Sequence, residues 1–308
     1  VSGATGLRLA ALVALAALAA AGCGEDDNPQ TPPPTGGRTI HFPGDAATLQ
    51  AAVDMAVRGD TVLVEAGTHT IDTSLVIGDA RDGVTLAGRL DASPKSAGAE
   101  RPVLDLANAL PQTGIAVRST AEDVTIRGLE IRGDLTIGVD LLGPRARLVD
   151  CRIVAPSYYC VACGASSAVS VIEGNLLLDA VLFGVACSGG AIPTIVGNTI
   201  VGAGDCGIIS TDASPVCERN IVFGSTNFGV ACFSSEVPAR VPSLDCNAFF
   251  GNGSDYSFDC VPGAGDFHAD PIFCDVIGYE IASTSPCTPD SSGGCGLIGA
   301  AGVGCSPP

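Results

Sequence analysis

From about Gly138 onward, short apolar runs alternate with Gly, Asn, Asp or Ser. Val169 to Ile172, Leu176 to Leu178 and Val185 to Cys187 are typical, and none leaves room for a ten-residue helix. Such runs between turn residues read as buried strands. Two markers then return together. Cys160-Val-Ala-Cys163, Gly184-Val-Ala-Cys187, Gly207-Ile-Ile-Ser210 and Gly229-Val-Ala-Cys232 start 24, 23 and 22 residues apart. Asn175, Asn198, Asn220 and Asn247 are 23, 22 and 27 apart, and Cys151 holds the same slot 24 residues before Asn175. One such unit cannot bury its inner face alone, but stacked units share a core. Equivalent strands then lie about 4.8 Å apart in parallel ladders. The pattern predicts a parallel β-helix, an all-β solenoid. An asparagine at one slot per turn offers both donor and acceptor to the next turn, so the four asparagines are expected to form a structural ladder.

The N-terminal part breaks this rhythm. Leu49, Ala52, Val53, Ala56 and Val57 fall at helical spacing, with Asp45 or Thr48 as N-cap. Gly59-Asp60 ends the helix and Thr61-Val-Leu-Val-Glu65 begins a strand. A helix there would cover the open end of the solenoid, where strand edges otherwise recruit other chains. Earlier still, Leu9 to Ala21 is an unbroken apolar run of 13 residues following Arg8. It is too short to span a bilayer, which takes about 20 residues, and it ends in small residues as a secretory signal does. Ala20-Ala21-Gly22-Cys23 is similar to a bacterial lipobox, in which the cysteine after the cleavage site carries lipid. Ordinary cleavage after Ala21 is the alternative. Glu25 to Arg38 is polar, with Pro at 29, 32, 33 and 34, and suits an extended tether.

The run TLQAAVDMAVRGDTVLVEAGTHTI at residues 48–71, followed by GVTLAG at 83–88, resembles the opening of right-handed β-helix proteins of the pectate-lyase-like superfamily. The tail, with Asp270-Pro-Ile-Phe-Cys-Asp275, Ser285-Pro-Cys287 and CGLIGAAGVGC ending at Cys305, resembles exported bacterial members. The resemblance spans about residues 40–305 and implies a fold. That superfamily contains lyases, hydrolases, epimerases and adhesins, so activity does not follow from it. The domain reading is a signal peptide at 1–22, a lipidated Cys23 and tether at 23–38, a right-handed β-helix with an N-terminal capping helix at 39–265, and a Cys-rich C-terminal cap at 266–308. The address is export, to a cell envelope by the lipid or to the medium without it. The membrane is reached only through that lipid.

Thirteen of the 14 cysteines lie at or after Cys151, and an exported chain allows disulfides. Cys274, Cys287, Cys295 and Cys305 sit among Pro, Gly and Ser, and some of them are expected to cross-link the cap. Cys160-x-x-Cys163 has no second pair to complete a zinc site, and reads as a strand face.

Charge narrows the partners. Against 33 Asp+Glu stand 15 Lys+Arg, a net charge of −18 that becomes −19 without Arg8. Phosphate binding needs clustered cations, so nucleic acid is excluded. The superfamily resemblance implies two chemistries, calcium-assisted cleavage of acidic polysaccharides with an Arg or Lys base, and hydrolysis with carboxylates as acid and base. Residues 118–152 carry Arg118, Arg127, Arg132, Arg145, Arg147 and Arg152 beside Asp123, Glu130, Asp134, Asp140 and Asp150. Within them Arg145 or Arg152 as base, and Asp134 and Asp140 as Ca²⁺ ligands, are the candidates; solvated surface ion pairs are the alternative. His69 and His268 read as loop or packing residues, with His268 beside Asp266 and Asp270 a weaker metal candidate. No Trp and only four Tyr supply a sugar platform, and Tyr158 and Tyr159 are expected on opposite strand faces. Together these favour a non-catalytic β-helix that presents a surface to an extracellular or envelope polysaccharide or to a surface protein. A Ca²⁺-dependent polysaccharide lyase or related carbohydrate-active enzyme is the alternative.

Overall fold

A computed structural model describes residues 37–89, 101–106, 112–164, 169–236 and 238–305. The export segment, Cys23 and most of the tether fall outside the described residues.

Each turn of the chain visits three parallel sheets in the same order. Sheet A has nine strands, from Thr39–Phe42 to Ser243–Asp245. Sheet B also has nine, from Thr68–Thr70 to Phe267–His268. Sheet C has eight, from Leu75–Ile77 to Ser254–Tyr256. One complete turn is Val171–Glu173 in A, Leu176–Leu178 in B and Phe183–Ser188 in C. Inward positions hold Val, Ile, Leu and Cys in one continuous core, with Ile126, Leu148, Ile172, Ile195 and Cys217 stacked in register on sheet A.

The corner from A to B takes two residues. The first is left-handed, with φ of 51° at Asp150, 66° at Gly174, 62° at Gly197, 53° at Arg219 and 58° at Cys246. The second is Cys151 or a buried asparagine. Asn175 donates its backbone N–H and Nδ2 to Asn198 Oδ1, both at 2.9 Å. Asn198 does the same to Asn220, and Asn220 to Asn247. Each Nδ2 also donates to a carbonyl of the preceding turn, as Asn198 does to Ile172 at 2.9 Å. Every polar atom of these buried side chains is thus satisfied, as burial requires. The ladder ends on an acceptor: Asp266 Oδ1 takes the N–H and Nδ2 of Asn247 at 2.8 and 2.9 Å.

The glycine of the Gly-Val-Ala-Cys marker sits where no side chain fits between turns. A methyl group on Gly184 would collide with Ile200 and the Gly207 carbonyl.

The N-terminal helix α1 is Leu49–Met55, and Thr48 Oγ1 accepts the Ala51 N–H at 3.1 Å as N-cap. It buries Leu49, Ala52 and Val53 against the first strands of sheets A and C. Gln50 imitates a neighbouring strand: its Oε1 accepts Val76 N–H at 2.8 Å and its Nε2 donates to Val76 O at 2.9 Å. Val76 lies in the outermost strand of sheet C, so the amide occupies an edge that would otherwise stay open.

The C-terminal region differs from the expected single cap, because two roles are divided. Residues 257–266 lie against the last turn. Ser257 and Cys260 are buried there, Cys260 is bonded to Cys232, and Asp266 closes the ladder. Phe267–His268 still pairs with sheet B. Beyond Asp270 the chain turns back along the outer face of sheet B. Ile281, Cys287 and Ile298 pack on Ile221 and Ala248. Gly299 N–H donates to Arg219 O at 2.8 Å and Ala300 N–H to Thr199 Oγ1 at 2.9 Å. The physical reason is composition. Leu176–Leu178 and Ile221–Phe223 are apolar on both faces, and a sheet with two apolar faces needs cover on both.

Candidate functional site

The tail leaves the three outer faces unequal. Sheet B is covered along its C-terminal half. Sheet A is polar, and Arg147 on it is engaged by Glu173 at 3.1 Å. Among the described residues the tail does not cover sheet C, which carries Tyr159, Phe183 and Phe228.

On sheet C, Tyr159, Phe183, Cys206 and Phe228 occupy one register position on four successive turns. The Tyr159 and Phe183 rings stack with centroids 5.3 Å apart and 9° between planes. Tyr158 stands edge-on to Tyr159 at 5.9 Å and is 47% exposed. The expectation that adjacent tyrosines face opposite ways is therefore corrected. Tyr158 precedes the strand Tyr159–Cys163 in a bend, where strand alternation does not apply. Beside the aromatic row runs a row of mostly small residues, Ala162, Ala186, Ile209 and Ala231. Ser188, Thr211 and Phe233 form the far margin. Ala162 and Ala186, low beside Tyr159 and Phe183, make a shallow trough that Ile209 interrupts and that closes at the fully buried Ala231.

Carboxylates bracket this trough. Asp205 immediately precedes the strand Cys206–Thr211 and Asp212 immediately follows it. Asp205 Oδ1 accepts Asn227 Nδ2 at 2.8 Å and the Cys206 thiol at 3.2 Å. Burial, with Asp205 beside it, pushes that thiol up to about 12, so it stays protonated. Asp212 accepts the Ser235 N–H at 2.6 Å and both the Ser234 and Ser235 hydroxyls. The Ser235 backbone and side chain hold its carboxyl below the usual range, against a small opposing effect of burial.

Nearer the N-terminus the same face holds Asp140, in register with Ala116 and Ala162. Burial raises its carboxyl above the ordinary value, against the opposing pull of Arg118. Arg118 and Arg81 line an open hollow of about 330 Å³ with Gln50, Asp54, Val76, Gly78 and Asp79.

The four residues singled out for catalysis do not converge. Arg145 lies in the turn leading to sheet A, holding Asp123 at 2.7 Å and Glu122 at 2.6 Å. Arg152 lies on sheet B, where it reaches Glu130 and the tail carbonyl of Ile277. Asp134 precedes and Asp140 nearly ends the strand Leu135–Leu141. They sit at opposite ends of one strand, a backbone span of up to about 20 Å when extended, whereas ligand oxygens sit within about 2.6 Å of a calcium ion. These residues do not fit a shared Ca²⁺ site, and among the described residues no group of three or more His, Cys, Asp or Glu is arranged for a metal. His69 Nε2 meets Glu65 O at 2.8 Å and its ring packs on Phe42. His268 pairs with Asp255 at 2.8 Å rather than with its flanking aspartates. Cys160 and Cys163 are buried in one strand.

Of the tail cysteines, Cys274 is bonded to Cys305, and Cys295 to Cys246. Cys287 is a buried thiol.

A model of the right-handed β-helix region matches residues 113–267, half of the chain. The chain belongs to the right-handed β-helix family. Among solved β-helix structures, a mutant of the PL6 family alginate lyase AlyGC is similar with a TM-score of 0.51 at 14% identity, covering 75% of this chain and 34% of its own. The pectate lyase Pel9A is similar with a TM-score of 0.50 at 14% identity, covering 76% of this chain and 74% of its own. This β-helix chain thus spans about a third of the length of the alginate lyase. Such identities speak for fold alone. No curated protein sequence matches the chain.

The aromatic row was missed by sequence reasoning, although its signal was present. The residue before each marker is Tyr159, Phe183, Cys206 or Phe228, an aromatic slot recurring at the period of the repeat.

Proposed function

We propose that this β-helix is an exported carbohydrate-binding protein whose glycan lies along the outer face of sheet C. The stacked Tyr159–Phe183 pair carries the reading. Because the two rings stack on each other, a sugar ring packs its C–H groups against their apolar edges, and Tyr159 adds a hydroxyl for the sugar oxygens. The trough of small residues gives a chain of sugars room to lie between hydroxyl-bearing margins. Three disulfides fit an oxidising compartment, and the lipobox-like Cys23 supports a tether to the cell envelope. Tyr159→Ala and Phe183→Ala each should weaken binding of a bound oligosaccharide about tenfold, about 1.4 kcal/mol, with unchanged circular dichroism. Titration calorimetry checks this, and full affinity in both variants rejects the site.

One observation favours a second reading, acid–base cleavage of the glycan. Asp140 is a half-buried carboxyl held up by burial, and such groups gather at catalytic sites. New reducing ends that appear with wild-type protein and vanish with Asp140→Ala would establish it. Their persistence in Asp140→Ala, or their absence throughout, rejects it. Chelator should leave any such rate unchanged, because Asp134 and Asp140 share no ion.

A further inference from the structure

We propose that the glycan taken by the sheet C face is cationic, bearing free amino groups, rather than a polyuronate. The inference rests on the carbohydrate reading of that face and adds the chemistry of the sugar. Between residues 153 and 218 the chain contains no Lys, Arg or His. This stretch supplies Tyr158, Tyr159, Phe183 and the whole strand Cys206–Thr211. A polyuronate laid there would meet no positive side chain from these turns. It would instead meet Asp205 at one margin and Asp212 at the other. Asp205 makes no ion pair among the described residues; its recorded partners are the neutral Asn227 and Cys206. Asp212 is held by serines. Arg240, which approaches the nearby Gly190, is occupied by Glu236 at 2.5 Å.

Screening decides which charges count. The Debye length is about 8 Å at physiological salt, so the net charge of −18 spread over the molecule is felt only weakly at the trough. What a bound sugar feels is the carboxylates within reach, with Arg240, held by Glu236, the cation beside the Asp212 margin. Like charges brought together across an interface disfavour it. An ammonium group beside Asp205 instead gains a charge-assisted hydrogen bond. Phe183 and Phe228, on the turns either side of Cys206, flank that carboxylate with surfaces on which the sugar rings can stack.

The test is titration calorimetry of the full chain with three oligosaccharides of matched length: β-1,4-linked glucosamine, its N-acetylated form, and oligogalacturonate. The glucosamine oligomer should bind tightest, and lose about tenfold in affinity between about 50 mM and about 500 mM NaCl. Asp205→Asn should weaken it about three- to fivefold and leave the N-acetylated oligomer unaffected. Oligogalacturonate binding as tightly as the glucosamine oligomer overturns the inference while sparing the carbohydrate reading. So does an unchanged glucosamine affinity in Asp205→Asn. Glucosamine binding that survives Tyr159→Ala overturns the placement on sheet C. No binding of any oligomer overturns the carbohydrate reading and this inference with it.

Discussion

Asn198 shows what a single residue contributes. Its Oδ1 accepts twice from Asn175, and its Nδ2 donates to Ile172 and Asn220. Asn198→Ala leaves the buried Asn175 N–H without its acceptor, removes one of the two Nδ2 bonds of Asn175, and takes the Nδ2 donor from Ile172 O and Asn220 Oδ1. An unmade buried hydrogen bond costs about 1–3 kcal/mol, so a loss of about 2–4 kcal/mol is expected in urea denaturation. Asp60 gives the acid dependence. Burial would raise its carboxyl, but the Arg38 guanidinium and the N–H groups of Val57 and Arg38 outweigh it and the net shift is downward. A lowered folded-state value stabilises above the unfolded carboxyl value, about 3.9. That stability is lost as pH falls through the folded value. Asp60→Asn should therefore be less stable than wild type at neutral pH, with the gap closing below about pH 4, as read by thermal melts across pH. Asp140 has the opposite sign, since its raised value opposes folding once the carboxyl ionises. Asp140→Ala should gain stability at neutral pH relative to acid pH.

At the scale of elements, helix α1 and the tail act on different parts of the stack. Gln50→Ala leaves Val76 without its amide partner at an open edge, and should cost about 1–2 kcal/mol. The helix was legible because its apolar spacing and Thr48 cap are local. The tail was not. Its cysteines and Pro-Gly-Ser composition announced cross-linking, and two of the bonds use them, but Cys295 pairs with Cys246 in the body. Only the doubled apolar faces of Leu176–Leu178 and Ile221–Phe223 hinted that something must lie outside sheet B. Removing residues 270–305 should expose Ile221, Phe223 and Ala248, and large exposed apolar patches bind hydrophobic dyes and aggregate. Dye fluorescence no higher than in the intact chain would contradict this cover.

For the whole molecule, stability is a sum over neighbouring turns rather than one global transition. The disulfides lie at Cys232 and beyond. Reduction should accordingly raise hydrogen exchange across residues 244–305 and leave Thr125–Arg127 and Arg147–Val149 protected. The sequence alone determined the solenoid, its period, its asparagine ladder slots and its acidity, because each follows from residues recurring at a fixed spacing. Period says which residues share a column. It does not say which of three faces stays open to solvent, because that depends on where the tail, remote in sequence, comes to rest. Only the tertiary structure showed that Arg145, Arg152, Asp134 and Asp140, neighbours along the chain, are dispersed over different faces, and that Tyr159, Phe183 and Asp205, far apart along the chain, lie side by side. A solenoid separates chain neighbours around its perimeter and brings residues one turn apart to within a strand spacing, and a functional site is built from the second kind of proximity.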